Sequence, residues 1–226
     1  MMQALLVQHC CGWMWKPYKS HFSVRKVDII MKKVNTVLGE VEVTQMENVL
    51  SHEHIVCCSH AMKLAFGDKW FNTEELISIA SELLKKAKDE CGINTIIDGT
   101  PVNLGRDIKL MQEISKRTGV NIIPSTGLYY TEDYFLTYKS AELLSSFFID
   151  ECLNGINGTN IKPGFLKCAT NNAGVTPLNE KSLITMSIVQ RETNLPLFSH
   201  NCHEKKTAYK QIDIFEKKML ILIRLL

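Results

Sequence analysis

The triplet His52-Glu53-His54 places two imidazoles one residue apart. In an extended segment residues i and i+2 point to the same face, so both rings can meet one metal ion while Glu53 turns away. Taken alone the signal is weak, since most triplets of this kind are surface or core histidines, so its meaning depends on company. Lys167, within Gly164-Phe-Leu-Lys-Cys-Ala169, is the second candidate. A lysine in the middle of a short apolar strand is costly unless its ammonium is paired, neutralised or modified. It either lies on the outer face with its tip in water, or points inward and carries CO₂ as a carbamate, which turns it into a carboxylate able to bridge two divalent ions. The third is His200, in Leu197-Phe-Ser-His-Asn201, near the end of an expected strand where a barrel carries its active site. Imidazole nitrogen with carboxylate-type oxygen suits Zn²⁺, with Mn²⁺, Co²⁺ or Fe²⁺ as alternatives.

The elements that must position these residues are legible from residue 34 onward. Residues 36–43 alternate as a short hairpin strand with Gly39 as the bend, and residues 48–56 read as the next strand. Asn72-Thr-Glu-Glu75 resembles a capping box. It opens a helix with an apolar face at Leu76, Ile79, Ala80, Leu83, Leu84 and Ala87, stopped by Gly92. Strands over 93–98, 120–125, 164–169 and 195–201 then alternate with helices over 106–118, 140–153, from Thr176-Pro177, and over 204–218. Five such units of about thirty residues point to a parallel sheet wrapped by helices. A doubly wound sheet and a (β/α)₈ barrel both fit. No GxGxxG or P-loop pattern follows a strand, which lowers the nucleotide-binding option.

The 226 residues are 45% hydrophobic and 22% charged with a formal net charge of +2, which suggests neither a nucleic-acid footprint nor a membrane tether. No apolar run reaches the roughly 18 residues of a membrane span. The eight cysteines (10, 11, 57, 58, 91, 152, 168 and 202) show no CxxC pair or zinc-ribbon spacing. They read as reduced, mostly buried thiols of a cytoplasmic protein. Residues 1–30 lack regular periodicity and precede Met31-Lys32-Lys33, so they read as an extension, with residues 31–226 as one domain.

Several ordered motifs now make the chain recognisable. Leu50-Ser-His-Glu-His54, Ile97-Asp-Gly-Thr100 with Leu104-Gly-Arg-Asp107, Ser125-Thr-Gly-Leu-Tyr-Tyr130, Gly164-Phe-Leu-Lys167 and Leu195-Pro-Leu-Phe-Ser-His200 occur in sequence. Together they resemble the phosphotriesterase family of the amidohydrolase superfamily, including its lactonase-like branch. The resemblance implies a TIM barrel with two divalent ions. His52 and His54 would bind one ion, Lys167 as N6-carboxylysine would bridge both, and His200 would bind the second. Tyr129 matches a position that lines the substrate pocket. The implied reaction is hydrolysis of a lactone, ester or phosphotriester by a hydroxide bridging the metals. A small-molecule substrate is the implied partner, with a homodimer as an allowed assembly and neither nucleic acid nor membrane expected.

The family's sixth-strand histidine and eighth-strand aspartate find no candidate before Leu226. A (β/α)₈ barrel usually needs about 250 residues, so the chain reads as C-terminally truncated, with five to six units, and residues 219–226 read either as a degenerate sixth strand or as the product of a frameshifted or prematurely ended reading frame. Two competing readings follow. One is an impaired remnant or interaction protein that keeps partial zinc binding. The other is a mononuclear site using His52 and His54 with Cys57 or His203.

Overall fold

A computed structural model of the chain describes residues 33–218. The expected extension at 1–30 and the apolar segment at 219–226 lie outside the described residues, as do Cys10 and Cys11. Five parallel strands are hydrogen-bonded in chain order: β3 (Asn48–Glu53), β4 (Ile93–Asp98), β5 (Asn121–Gly127), β6 (Phe165–Ala169) and β7 (Leu197–His200). A doubly wound sheet reverses its strand order at a switch point, and this sheet does not reverse. The strands and their flanking helices form a curled half-barrel of the (β/α)₈ type, and five units of it are described.

The helices are α1 (His60–Phe66), α2 (Thr73–Cys91), α3 (Ile108–Thr118), α4 (Phe135–Tyr138), α5 (Ala141–Asn154), α6 (Pro177–Thr193) and α7 (Thr207–Lys217). Their starts follow from local capping. The side chains of Asn72, Asp107, Ser140 and Thr176 accept the N–H of the residue three positions on, at the heads of α2, α3, α5 and α6. Gly92 and Gly119 end α2 and α3 in the left-handed conformation, which costs a glycine nothing.

Two apolar layers join helices to sheet. Ile77, Ala80 and Leu84 of α2 pack with Ile96, Met111, Ile114 and Ile122, and Leu166, Cys168 and Leu197 of β6 and β7 pack with Leu144, Leu183, Met186 and Phe215. On β6 and β7 the alternation is clean. Leu166, Cys168 and Leu197 face the helices, which leaves Phe165, Lys167, Phe198 and His200 for the concave face.

Several boundaries differ from expectation for physical reasons. The N-terminal hairpin pairs β1 (Lys33–Thr36) with β2 (Gly39–Glu42) and turns at Val37-Leu38 rather than at Gly39. Val37 is fully buried because the turn is drawn under the sheet, where its N–H donates to Ile122 O at 2.9 Å. The buried line of α2 runs through Ile77, Ala80, Ser81 and Leu84, so Ile79 is 44% exposed instead of central. Helix α3 begins at Ile108, capped by Asp107, and α7 at Thr207, because residues 203–206 form a turn. The short helices α1 and α4 were not expected. The six described cysteines are free, but only Cys168 and Cys202 are buried, while Cys57 and Cys91 are exposed. No helix among the described residues is long and apolar enough to cross a membrane.

Candidate metal centre

Lys167 points to the concave face and is 1% exposed. Its Nζ lies 2.9 Å from Nε2 of His52, next to the last residue of β3 at the edge of the sheet. The outward, solvent-reaching lysine is therefore excluded. Burial pushes the Lys167 amine down to about 8, against the opposing pull of Cys168 and Asp98. Burial first, and the Lys167 charge second, push His52 down to about 4. His54 is also pushed down to about 4, by burial first and His52 second. The two rings stand edge to face with centroids 5.2 Å apart, so they share a side as alternation requires. At neutral pH both imidazoles are uncharged, the form that binds metal.

Asp98 organises this end of the sheet. Its buried carboxylate accepts the Ile55 N–H at 2.8 Å and the Thr100 N–H at 2.9 Å, tying together the segments that leave β3 and β4. Burial outweighs these donors and pushes Asp98 up to about 6. Thr100 Oγ1 in turn lies 2.9 Å from His54 Nδ1, which orients the ring. Between them, Gly99 lets His52 and Lys167 meet. A Cβ there would sit 3.1 Å from His52 Cδ2 and 3.3 Å from Lys167 Nζ. Glu53, opposite Asp98 in the register, is half-buried, and burial together with Asp98 raises its carboxyl.

His200 ends β7. The Tyr129 and Tyr130 rings lie 5.6 and 6.3 Å from its ring. Its pKa is lowered by burial and by Lys167. Gln211 of α7 holds the end of this strand, its Nε2 donating to His200 O at 2.9 Å and also to Thr170 Oγ1. Phe198 packs on Phe165 with ring centroids 4.9 Å apart, an apolar layer beside the polar groups.

Among the described residues, no three histidine, cysteine or acidic side chains lie close enough to hold a metal by themselves. The charge of Lys167 reaches all three imidazoles. The donor set fits a metal site on condition that Lys167 becomes an anion. Neutral nitrogen donors are in place, and the buried amine, low enough to be partly unprotonated, is in contact with an imidazole. The alternative ligands fit less well. The Cys57 thiol is pushed up to about 11, by desolvation first and Asp98 second, so a metal there would have to displace its proton, and His203 sits exposed in the turn before α7.

Asp98, Gly99, Thr100 and Tyr130 are visible in the sequence only as parts of motifs, without a role, and nothing local marks Asn103 or Gln211. An aspartate closing a strand of a barrel is the one signal that could have marked Asp98.

Comparison with known proteins gives a family match and three relatives. The sequence pattern of the phosphotriesterase family matches residues 32–225. The chain is 33% identical over 172 residues to an aryldialkylphosphatase of Saccharolobus solfataricus, covering 75% of this chain and 54% of that protein. It is 28% identical over 203 residues to a phosphotriesterase homology protein of Mycobacterium tuberculosis, covering 86% and 62%. An N-acetyltaurine hydrolase of Xenopus tropicalis is 27% identical over 214 residues, covering 82% and 61%. The chain thus spans 54–62% of the length of these relatives.

Proposed function

For this chain, which belongs to the phosphotriesterase family, we propose a metal-dependent hydrolase of lactones, esters or phosphotriesters. The observation that carries the reading is the buried Lys167 amine beside the neutral His52 imidazole, 2.9 Å away. An isolated buried ammonium is costly, and the cost disappears if the amine is converted to an anion that pairs with cations. The neutral amine lone pair adds to the carbon of CO₂, and the nitrogen loses a proton to water, which leaves a carbamate of charge −1.

His52 and His54 would hold one divalent ion, carbamylated Lys167 both, and His200 the second. Zn²⁺ is the first choice for nitrogen and carboxylate donors, with Mn²⁺, Co²⁺ or Fe²⁺ as alternatives. When bound, the ions supply a Lewis acid for the carbonyl or phosphoryl oxygen and lower the pKa of water. The chain's own residues do the rest. Asp98 and Thr100 fix the His54 ring, Gly99 keeps His52 and Lys167 within reach, and Tyr129 with Tyr130 flanks the substrate. The apolar Phe165–Phe198 layer excludes water from one side of the site.

A second reading is zinc binding without turnover. The observation on its side is that Asp98, the buried acid at this end of the sheet, has its carboxylate taken up by the N–H groups of Ile55 and Thr100 rather than free to carry a proton. The names of the relatives add amides to the substrates worth testing. The experiment loads the protein with zinc in bicarbonate and assays an aryl ester, a lactone, an aryl phosphotriester and an N-acetyl amide. Turnover that disappears with a chelator and with His52→Ala supports the hydrolase. Bound zinc with no turnover of any of the four supports the binding-only reading.

A further inference from the structure

The segment that leaves β5 carries Tyr129 and Tyr130 past His200, and its two rings lie 4.3 Å apart. One side chain from a different loop holds both ends of it. Asn103, in the tight turn after β4, accepts the Tyr129 backbone N–H through Oδ1 at 2.7 Å. Its Nδ2 donates to Thr131 Oγ1 at 2.7 Å and to Asp133 Oδ2 at 2.6 Å. Thr131 donates to the same carboxylate oxygen at 3.1 Å. A third tie comes from α6, where Asn179 Nδ2 donates to Tyr130 O at 3.0 Å.

The platform is itself braced. Leu104 O accepts the Cys58 N–H at 3.0 Å, and Gly105 (φ +100°) lies so close that a Cβ would meet Cys58 O at 2.5 Å. The chemistry asks for an amide at 103. It must accept from a backbone N–H with one end and donate to a carboxylate with the other. Aspartate would keep the acceptor, lose the donor and set two carboxylates together.

We infer that Asn103 is a positioning residue that sets the Tyr129–Tyr130 wall against His200 and thereby the site's affinity for planar aromatic groups. The inference takes its meaning from the hydrolytic site proposed above, but its binding test needs no turnover. The three residues are each half-buried and their rings lie against one another, an aromatic surface of the kind that takes a flat ligand group. Losing the tether lets the wall leave that geometry, while the concave face behind it is untouched.

The test titrates the whole chain with 4-nitrobenzyl alcohol, an unreactive aryl probe, and with 1-butanol as the aliphatic control, followed by NMR. Asn103→Asp is expected to weaken aryl binding about fivefold, with a smaller change for butanol. The exchange Asn103→Asp with Asp133→Asn restores an acceptor facing Tyr129 and a donor between the two side chains, and is expected to recover most of the loss. If Asn103→Asp does not fold, Asp133→Ala reads the same tether from its other end. Where turnover is present, the loss falls on KM for 4-nitrophenyl acetate more than on kcat. Unchanged aryl binding in the folded variants, equal loss for both probes, or no recovery in the exchange overturns the inference. Asn103-dependent aryl binding without turnover of any substrate sinks the hydrolase reading and leaves this one standing.

Discussion

Nζ of Lys167 and Nε2 of His52, 115 residues apart in sequence, lie 2.9 Å apart on the concave face of the half-barrel. Neither group is comfortable there without a change of charge. The amine is pushed down to about 8 and the imidazole to about 4. Both shifts move the pair toward its neutral forms, those that accept CO₂ and bind metal.

The first consequence is an alkaline gain in stability of the metal-free protein without CO₂. The folded pKa of Lys167, about 8, lies below the 10.5 of a free lysine side chain, so the unfolded chain binds more protons between the two. Stability therefore rises as pH increases from about 8 to about 10.5, and the full cost is present below pH 8. The shift corresponds to about 3 kcal/mol at roughly 1.4 kcal/mol per unit. Urea denaturation of the wild type against Lys167→Met shows it as a pH-dependent difference. A difference that stays flat over this range contradicts the burial of a titrating amine.

The acid limb has the same sign for the histidines and the opposite sign for Asp98. His52 and His54 fall to about 4 from 6.5, so they remove stability as pH drops through that interval. Asp98 rises to about 6 from 3.8, so its protonation favours the folded state over an overlapping range. The lowered imidazoles, His200 included, oppose the raised carboxyls of Asp98 and Glu53, and net stability is expected to fall with acid. Replacing His52 and His54 by glutamine is expected to flatten the profile below pH 6.5, and Asp98→Asn to steepen it, as read from thermal midpoints at successive pH values.

Gly99→Ala tests the close approach. The added methyl would sit 3.1 Å from His52 and 3.3 Å from Lys167, so both must shift by a few tenths of an ångström. The expected outcome is about a tenfold loss of zinc affinity with little change in the thermal midpoint. Competition against a chromophoric chelator measures it. Unchanged affinity would show that the two side chains need not meet.

Arg106 and Glu151 form a buried fork. Nη2 meets Oε1 at 2.6 Å, Nη1 meets Oε2 at 2.9 Å, and Nη1 also donates to Ser125 O at 3.1 Å. Thr126 Oγ1 donates to the same carboxylate. Arg106 is 1% exposed, so Glu151→Ala strands a buried cation at a cost of about 3–5 kcal/mol. A chemical-denaturation loss under about 1 kcal/mol would show that water reaches the guanidinium.

Local chemistry was the legible part of this chain. Strand β4 begins at Ile93 and ends at Asp98 as its apolar run indicates, and the caps Asn72, Ser140 and Thr176 announce their helices. What escaped depends on contacts distant in sequence. The hairpin turn slips to Val37-Leu38 because the sheet buries Val37, and α2 rotates because Ile96 and Met111 meet Ile77 and Leu84 rather than Ile79. Asp98 acquires its role only through the N–H of Ile55, and Asn103 only through Tyr129 and Asp133. The inward direction of Lys167 is likewise decided by the helices that take Leu166 and Cys168 on the other face. Its strand alone allows either face.

Zinc stoichiometry tests the central claim most directly. The wild type, Lys167→Met and the His52→Ala/His54→Ala pair are dialysed against zinc in bicarbonate buffer, and bound metal is measured by elemental analysis. Wild-type protein is expected to retain zinc, with both variants losing most of it and wild type dialysed without CO₂ losing part. Equal zinc in all three proteins, or none in the wild type, would contradict a metal centre built on Lys167 and the paired histidines.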